Sequence, residues 1–197
     1  MSGFDESVLV WRFDAPRLAI ASAPVGGGIG LRSWVLNAQV PRDYSRTDLD
    51  AHVASIAAAE GCTGDGVGML TAVPMSFARY ASDRGVEVCA TVGVTRPTWA
   101  ADATDAISAW TPGTINIVAF VPARLSEAAL VNAVMTVTEA KVQALSEGGV
   151  PGTGTASDAA CVVCPASGPV QAFGGPRSGL GAPLARAVCE AVRGGIS

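Results

Sequence analysis

The chain has 197 residues, of which 49 % are hydrophobic and 15 % charged, and a formal net charge of -4 at neutral pH. A chain of this length buries about 70 % of the surface it exposes when unfolded, enough for one well-packed domain over residues 1–197. The charge balance excludes the basic footprint of a nucleic-acid binder or of a protein drawn to an anionic membrane, and polar residues, Pro or Gly break every apolar run well short of the roughly 18 residues of a membrane span.

In chain order, the opening stretch MSGFDESVLVWRFDAP carries acids where a secretory leader has positive charge, so a cytoplasmic location is expected. Strands are predicted at 7–13 and 17–22, then a glycine-rich turn at 26–30 and a strand at 31–40. A helix follows over 48–60, started by Ser45 or Thr47, with Asp48 and Asp50 in its first turn and Gly61 past its end. The Val-rich and aromatic runs at 67–73, 76–82, 86–94 and 114–121 read as further strands. Ser126 caps the longest helix, 127–147, which stops at Gly148 and Gly149. A buried strand at 158–165 and a terminal helix at 182–192, introduced by Gly181 and Pro183, complete the set. The class is α+β (mixed α/β): a mixed sheet of meandering strands packed with about three to four helices.

The five cysteines (Cys62, Cys89, Cys161, Cys164, Cys189) are odd in number and scattered, as small buried hydrophobes are. Cys161 and Cys164 form a CxxC, yet a zinc site wants a second pair or histidines, and His52 is the sole histidine. It falls on a predicted amphipathic helix as a partly exposed structural residue, and no G-x-S-x-G elbow accompanies it, so a histidine-based triad is disfavoured. GGGIG, GDGVGM and GTGTASD lack the spacing of a dinucleotide or P-loop fingerprint. They offer N–H donors and hydroxyls, with Asp65 and Asp158 at the edges of predicted strands. Hydrolysis here would lean on carboxylates, the lone lysine, a Thr hydroxyl, or a metal held by oxygen ligands.

On a helical wheel, Asn132, Thr136, Glu139 and Gln143 form a polar stripe along 127–147, either a solvated face or one lining a site. Lys141, the only lysine beside twelve arginines, falls in the apolar stripe of Leu130, Val134, Val137 and Leu145. Such a lysine either snorkels to water or sits desolvated, the state in which it acts as base or nucleophile.

Taken together, GVGMLTAV (66–73), ATVGVTRPTWA (90–100), GTINIVAFVPARLSEAALVNAVMTVTEAKVQAL (113–145), GTGTASDAACVVCP (152–165) and GGPRSGLGAPLARAV (174–188) resemble the adenosylcobinamide amidohydrolase family, in the family's order and over about residues 30–193. Gly175, Cys161 and Cys164 are local departures. The resemblance implies hydrolysis of the amide that joins aminopropanol to a propionate arm of the corrin ring, giving adenosylcobyric acid. It implies a corrinoid site with apolar walls, for which Trp34, Trp99 and Trp110 are candidate faces and Asn37, Asn116, Asn132, Thr153 and Thr155 candidate partners of carboxamides. GTGTASD would cradle the amides and stabilise the oxyanion. Asp65, Glu139 or Asp158 would be the general base, with Lys141 stabilising negative charge or protonating the leaving amine. No cofactor is expected, a divalent metal stays open, and the partner is a small corrinoid rather than nucleic acid or membrane, with homo-oligomerisation open. A non-catalytic corrinoid-binding module and a metal-assisted hydrolase of another amide are the alternatives.

Overall fold

The computed structural model describes residues 7–102 and 113–196. The expected turn at Asp14-Ala15-Pro16 does not form; Val8–Ala21 is one long strand, β1. Its pairing with the antiparallel β2, Gly28–Gln39, jumps from Arg12↔Trp34 to Arg17↔Arg32, so five steps along β1 face two along β2. Pro16 lies in that gap, where its missing N–H costs no ladder bond.

Helix α1, Leu49–Ala59, begins at Asp48 with no side-chain cap, in place of the expected Ser45 or Thr47. The Asp48 carboxylate turns instead to the Arg46 guanidinium at 2.9 and 2.6 Å, which holds its pKa down at about 2. Strand β3, Gly66–Thr71, runs parallel to β2. The run at 76–82, expected as one strand, splits into a single 3₁₀ turn, Met75–Phe77, and β4, Arg79–Asp83. Arg84 and Gly85, at φ of 48° and 80°, are both left-handed, the hairpin geometry that matches strand twist, and lead into β5, Val86–Val92.

Strand β6, Ile115–Phe120, pairs antiparallel with β5 and parallel with β7, Ala159–Cys164, the long helix α2, Glu127–Glu147, providing the crossover. Ser126 caps α2 as expected, accepting the Ala129 N–H at 3.1 Å. Helix α3, Gly181–Gly195, closes the chain, with the Gly181 N–H bonded to Ser178 Oγ. Among the described residues seven strands form one mixed sheet ordered β3-β2-β1-β7-β6-β5-β4, so the α+β expectation holds.

Alternation along the strands separates the two faces. Leu36 and Ala38 of β2 pack on Val53 and Ile56 of α1, while Val162 and Cys164 of β7 join the core beneath α2 and α3. Their neighbours Val35, Cys161 and Val163 point the other way and are also buried. The sheet curls around that second face: Leu70 O of β3 accepts Asn116 Nδ2 of β6 at 3.0 Å, although β2, β1 and β7 lie between them in sheet order. Trp11 and Phe13 pack on Phe120 inside the curl. Deeper in the curl, Asn116 Nδ2 donates to Asn37 Oδ1 at 2.9 Å and Asn37 Nδ2 donates to Thr91 Oγ1 at 3.0 Å. This chain satisfies polar groups that would otherwise be costly to bury. Cys161 and Cys164, three apart on a strand, fall on opposite faces, which prevents the CxxC from clamping one ion.

Candidate active site

Because β6 and β7 are parallel neighbours with Asn116 opposite Ala159, the segments that lead into them, 113–115 and 153–158, lie side by side. Asp158 folds back on its own turn, as short acceptor side chains do. Its Oδ1 accepts the Ile115 N–H at 3.0 Å and lies 2.5 Å from Thr155 Oγ1; Oδ2 accepts the Thr155 N–H at 3.1 Å.

The fourth partner is Lys141, whose Nζ stands 2.5 Å from Asp158 Oδ2, with the two side chains 12 % and 14 % exposed. The ammonium neither snorkels to water nor sits alone: α2 carries it into the sheet end, where a carboxylate with two donors on each oxygen compensates its charge. The site also depends on a missing side chain. A Cβ on Gly154 would strike the Asp158 carboxylate and come within 2.5 Å of Lys141 Nζ.

Hydroxyl groups extend the cluster. Gly113 O lies 2.6 Å from Thr155 Oγ1 and 3.2 Å from Ser157 Oγ, and Ser157 Oγ lies 2.8 Å from Thr114 Oγ1. Thr153 Oγ1 accepts the Ala100 N–H at 2.9 Å, and backbone bonds tie Thr98 to Gly154 and Thr153, both at 2.8 Å. Those ties hold Trp99, 56 % exposed, beside the loop.

Three cavities surround this sheet end. One of about 350 Å³ is lined by Tyr44, Met69, Leu70, Thr114, Asn116 and Ser157, among others. Thr114 and Ala72 also line a second, of about 390 Å³, bordered by Phe77 and Arg79. Lys141 and Asp158 themselves line a third, of about 170 Å³, together with Ser22 and Val134. The lining is largely apolar, with amide and hydroxyl groups at a few points and Arg46, Arg42 and Arg79 among the residues around the two larger cavities, as suits a bulky ligand fringed by carboxamides.

A family model described as adenosylcobinamide amidohydrolase matches residues 1–197. The chain belongs to the adenosylcobinamide amidohydrolase family. Two proteins of that name are similar to it: one from Methanosarcina mazei, 31 % identical over 185 residues (89 % of this chain, 88 % of the relative), and one from Halobacterium salinarum, 32 % identical over 191 residues (92 % and 81 %).

The site residues expected from the chemistry of the sequence fall into two groups. Lys141, Asp158 and Thr155 are in contact, Thr153 anchors their loop, Asn116 lines the cavity of about 350 Å³, and Asn37 stands behind it as a hydrogen-bond partner. Asp65, Glu139, Asn132 and Trp34 lie elsewhere. Asp65 is exposed, five residues before Leu70 and about 16 Å back along β3. Glu139 is exposed on α2, two positions and about 200° around the helix from Lys141. Asn132 faces Gly175, on the side of α2 opposite Lys141, while Trp34 is buried beside α1 with its Nε1–H on Gly64 O. Trp110 lies outside the described residues. The polar stripe on α2 splits accordingly, for Thr136 is buried and donates to Gly174 O while Glu139 and Gln143 face solvent.

Thr114 was not singled out in the sequence, and Gly154 and Ser157 were noticed only as part of GTGTASD. What joins them is the adjacency of two predicted strands, which is a tertiary fact. His52, expected partly exposed, is buried with Nδ1 2.7 Å from Tyr44 OH, and so braces a wall of the cavity of about 350 Å³. Among the described residues no three His, Cys, Asp or Glu side chains gather to hold a metal ion, and no helix is long and apolar enough to cross a membrane.

Proposed function

We propose that the chain hydrolyses the aminopropanol amide of adenosylcobinamide to adenosylcobyric acid, and that the reaction centre is the cluster of Lys141, Asp158 and Thr155. The family supports the reaction; the Lys141–Asp158 pair carries its placement. An ion pair this far removed from water, beside cavities with largely apolar linings, needs a reason where the described residues otherwise bury little charge.

In this reading the Lys141 ammonium, with one N–H on Asp158, has two further N–H groups for the oxyanion that forms when the amide carbon is attacked. Asp158 takes the proton of the attacking group and returns it to the departing amine, so that one carboxylate serves both half-steps. Corrin carboxamides meet Asn116, Thr114 and Ser157 along the cavity wall, and Trp99 offers an aromatic face at the rim. The chemistry runs on side chains of the chain, in the cytoplasm, with no cofactor.

The test is to incubate purified, chelator-treated protein with adenosylcobinamide and look by mass spectrometry for adenosylcobyric acid and free aminopropanol. Both products without added metal are expected. Product only after addition of a divalent cation would move the chemistry to an ion, and bound, intact substrate under both conditions would make the chain a binding module.

A further inference from the structure

Water is not the only nucleophile within reach of Asp158. Thr155 Oγ1 lies 2.5 Å from Asp158 Oδ1, at the short end of the range for a hydroxyl that donates to an anion. The same oxygen lies 2.6 Å from Gly113 O, and a hydroxyl has one hydrogen for two acceptors. The carboxylate, being charged, is the stronger acceptor of the two, and Gly113 O keeps another donor. Ser157 Oγ also reaches Gly113 O, and Thr114 Oγ1 can donate to Ser157 Oγ, so Thr114, Ser157 and the Gly113 carbonyl form a complete chain of donors and acceptors without Thr155. The Thr155 hydrogen then points at Asp158. A carboxylate against the hydroxyl, and a lysine against the carboxylate, is the arrangement of nucleophile, base and orienting group that covalent catalysis requires.

We infer that Thr155 is the nucleophile and that the amidohydrolase reaction, on whose reading this rests, passes through an ester on its side chain. Thr155 Oγ1 bonds to the amide carbon as its proton moves to Asp158. The C–N bond then breaks and Asp158 gives that proton to the nitrogen, releasing aminopropanol and leaving the corrinoid acyl group on Oγ1. Water attacks the ester, Asp158 accepts one of its protons, and the Thr155 oxygen takes that proton back as the acid departs. The sum is amide plus water to acid plus amine. Lys141 holds Asp158 in both halves and gives its remaining N–H groups to each oxyanion.

Hydroxylamine, a second acceptor for an acyl group, separates this route from direct hydrolysis. Wild-type protein turning over adenosylcobinamide should divide its product between adenosylcobyric acid and the corresponding hydroxamate, in a ratio set by hydroxylamine concentration. Thr155→Ala should lose at least about a hundredfold of both products with an unchanged circular dichroism spectrum, and Thr155→Ser should retain turnover. A hydroxyl that merely braced Asp158 would carry no acyl group, so the corrinoid ester should be found on Thr155 by peptide mass mapping of acid-quenched wild type, and its absence there would overturn the nucleophile. Acid without hydroxamate from the wild type, or turnover or hydroxamate formation by Thr155→Ala within about tenfold of wild type, would overturn the nucleophile and leave the amidohydrolase standing. Absence of both products from the wild type would remove the reading on which the nucleophile rests. Should Thr155→Ala fail to fold, the wild-type partition and Thr155→Ser still decide.

Discussion

Gly154 has no side chain where Lys141 Nζ and Asp158 Oδ2 need the room. Gly154→Ala should therefore push the ammonium off the carboxylate and reduce turnover at least about tenfold, measured under saturating substrate. Lys141→Met leaves Asp158 with three donors and a partly buried negative charge unpaired, a loss of about 1–3 kcal/mol that urea denaturation would register. The cysteines report on a different chemistry. Burial pushes the Cys89 thiol up to about 11 and Cys161 up to about 12, so neither forms thiolate near neutral pH. Native protein treated with iodoacetamide at pH 8 should keep both unmodified by peptide mass mapping. A raised thiol pKa also fixes a sign: above the ordinary thiol value of 9.0 the unfolded chain gives up protons that the folded chain keeps, so stability should fall as pH climbs through 9 and beyond. Denaturation midpoints at pH 8 and pH 10 would show it.

Among the elements, α2 was the most legible, because its cap, period and glycine stop all agree. Ser126→Ala should cost about 1 kcal/mol in a thermal or urea melt and leave turnover unchanged, since the cap lies fifteen residues from Lys141. What failed was punctuation of strands. Asp14-Ala15-Pro16 has the chemistry of a turn, but β2 alongside keeps β1 extended and absorbs the proline in a register shift, a tertiary constraint that local composition does not contain. For the helix at 48–60 the span was readable and the cap was not, since Arg46 outcompetes the backbone for Asp48. Lys141 and Asp158 were each noticeable alone, one as a lysine in an apolar stripe and the other at a strand edge. That they form a pair follows from the β6-α2-β7 crossover, which returns the chain to the sheet end where α2 delivers its lysine. Asp65 carried the same strand-edge signal and Glu139 lay in the polar stripe of the predicted helix, and nothing local told them apart from Asp158.

At the scale of the whole molecule, the curl of the sheet brings Thr71 and Leu70 of β3 to the wall of a cavity shared with Thr114 and Asn116 at the start of β6. Asn116 is the stitch. Asn116→Ala would leave Asn37 Oδ1 and Leu70 O without that donor, and a loss of about 1–3 kcal/mol is expected in urea melts, with weaker adenosylcobinamide binding as the wall loosens. The central claim is that the cluster beneath this wall performs the hydrolysis. Its most direct measurement is kcat for Asp158→Asn beside the affinity of the same variant for adenosylcobinamide. We expect kcat to fall at least about a thousandfold, roughly 4 kcal/mol of transition-state stabilisation, with affinity within a few-fold of wild type. Turnover within about tenfold of wild type, at unchanged affinity, would contradict the claim and move the chemistry away from Asp158.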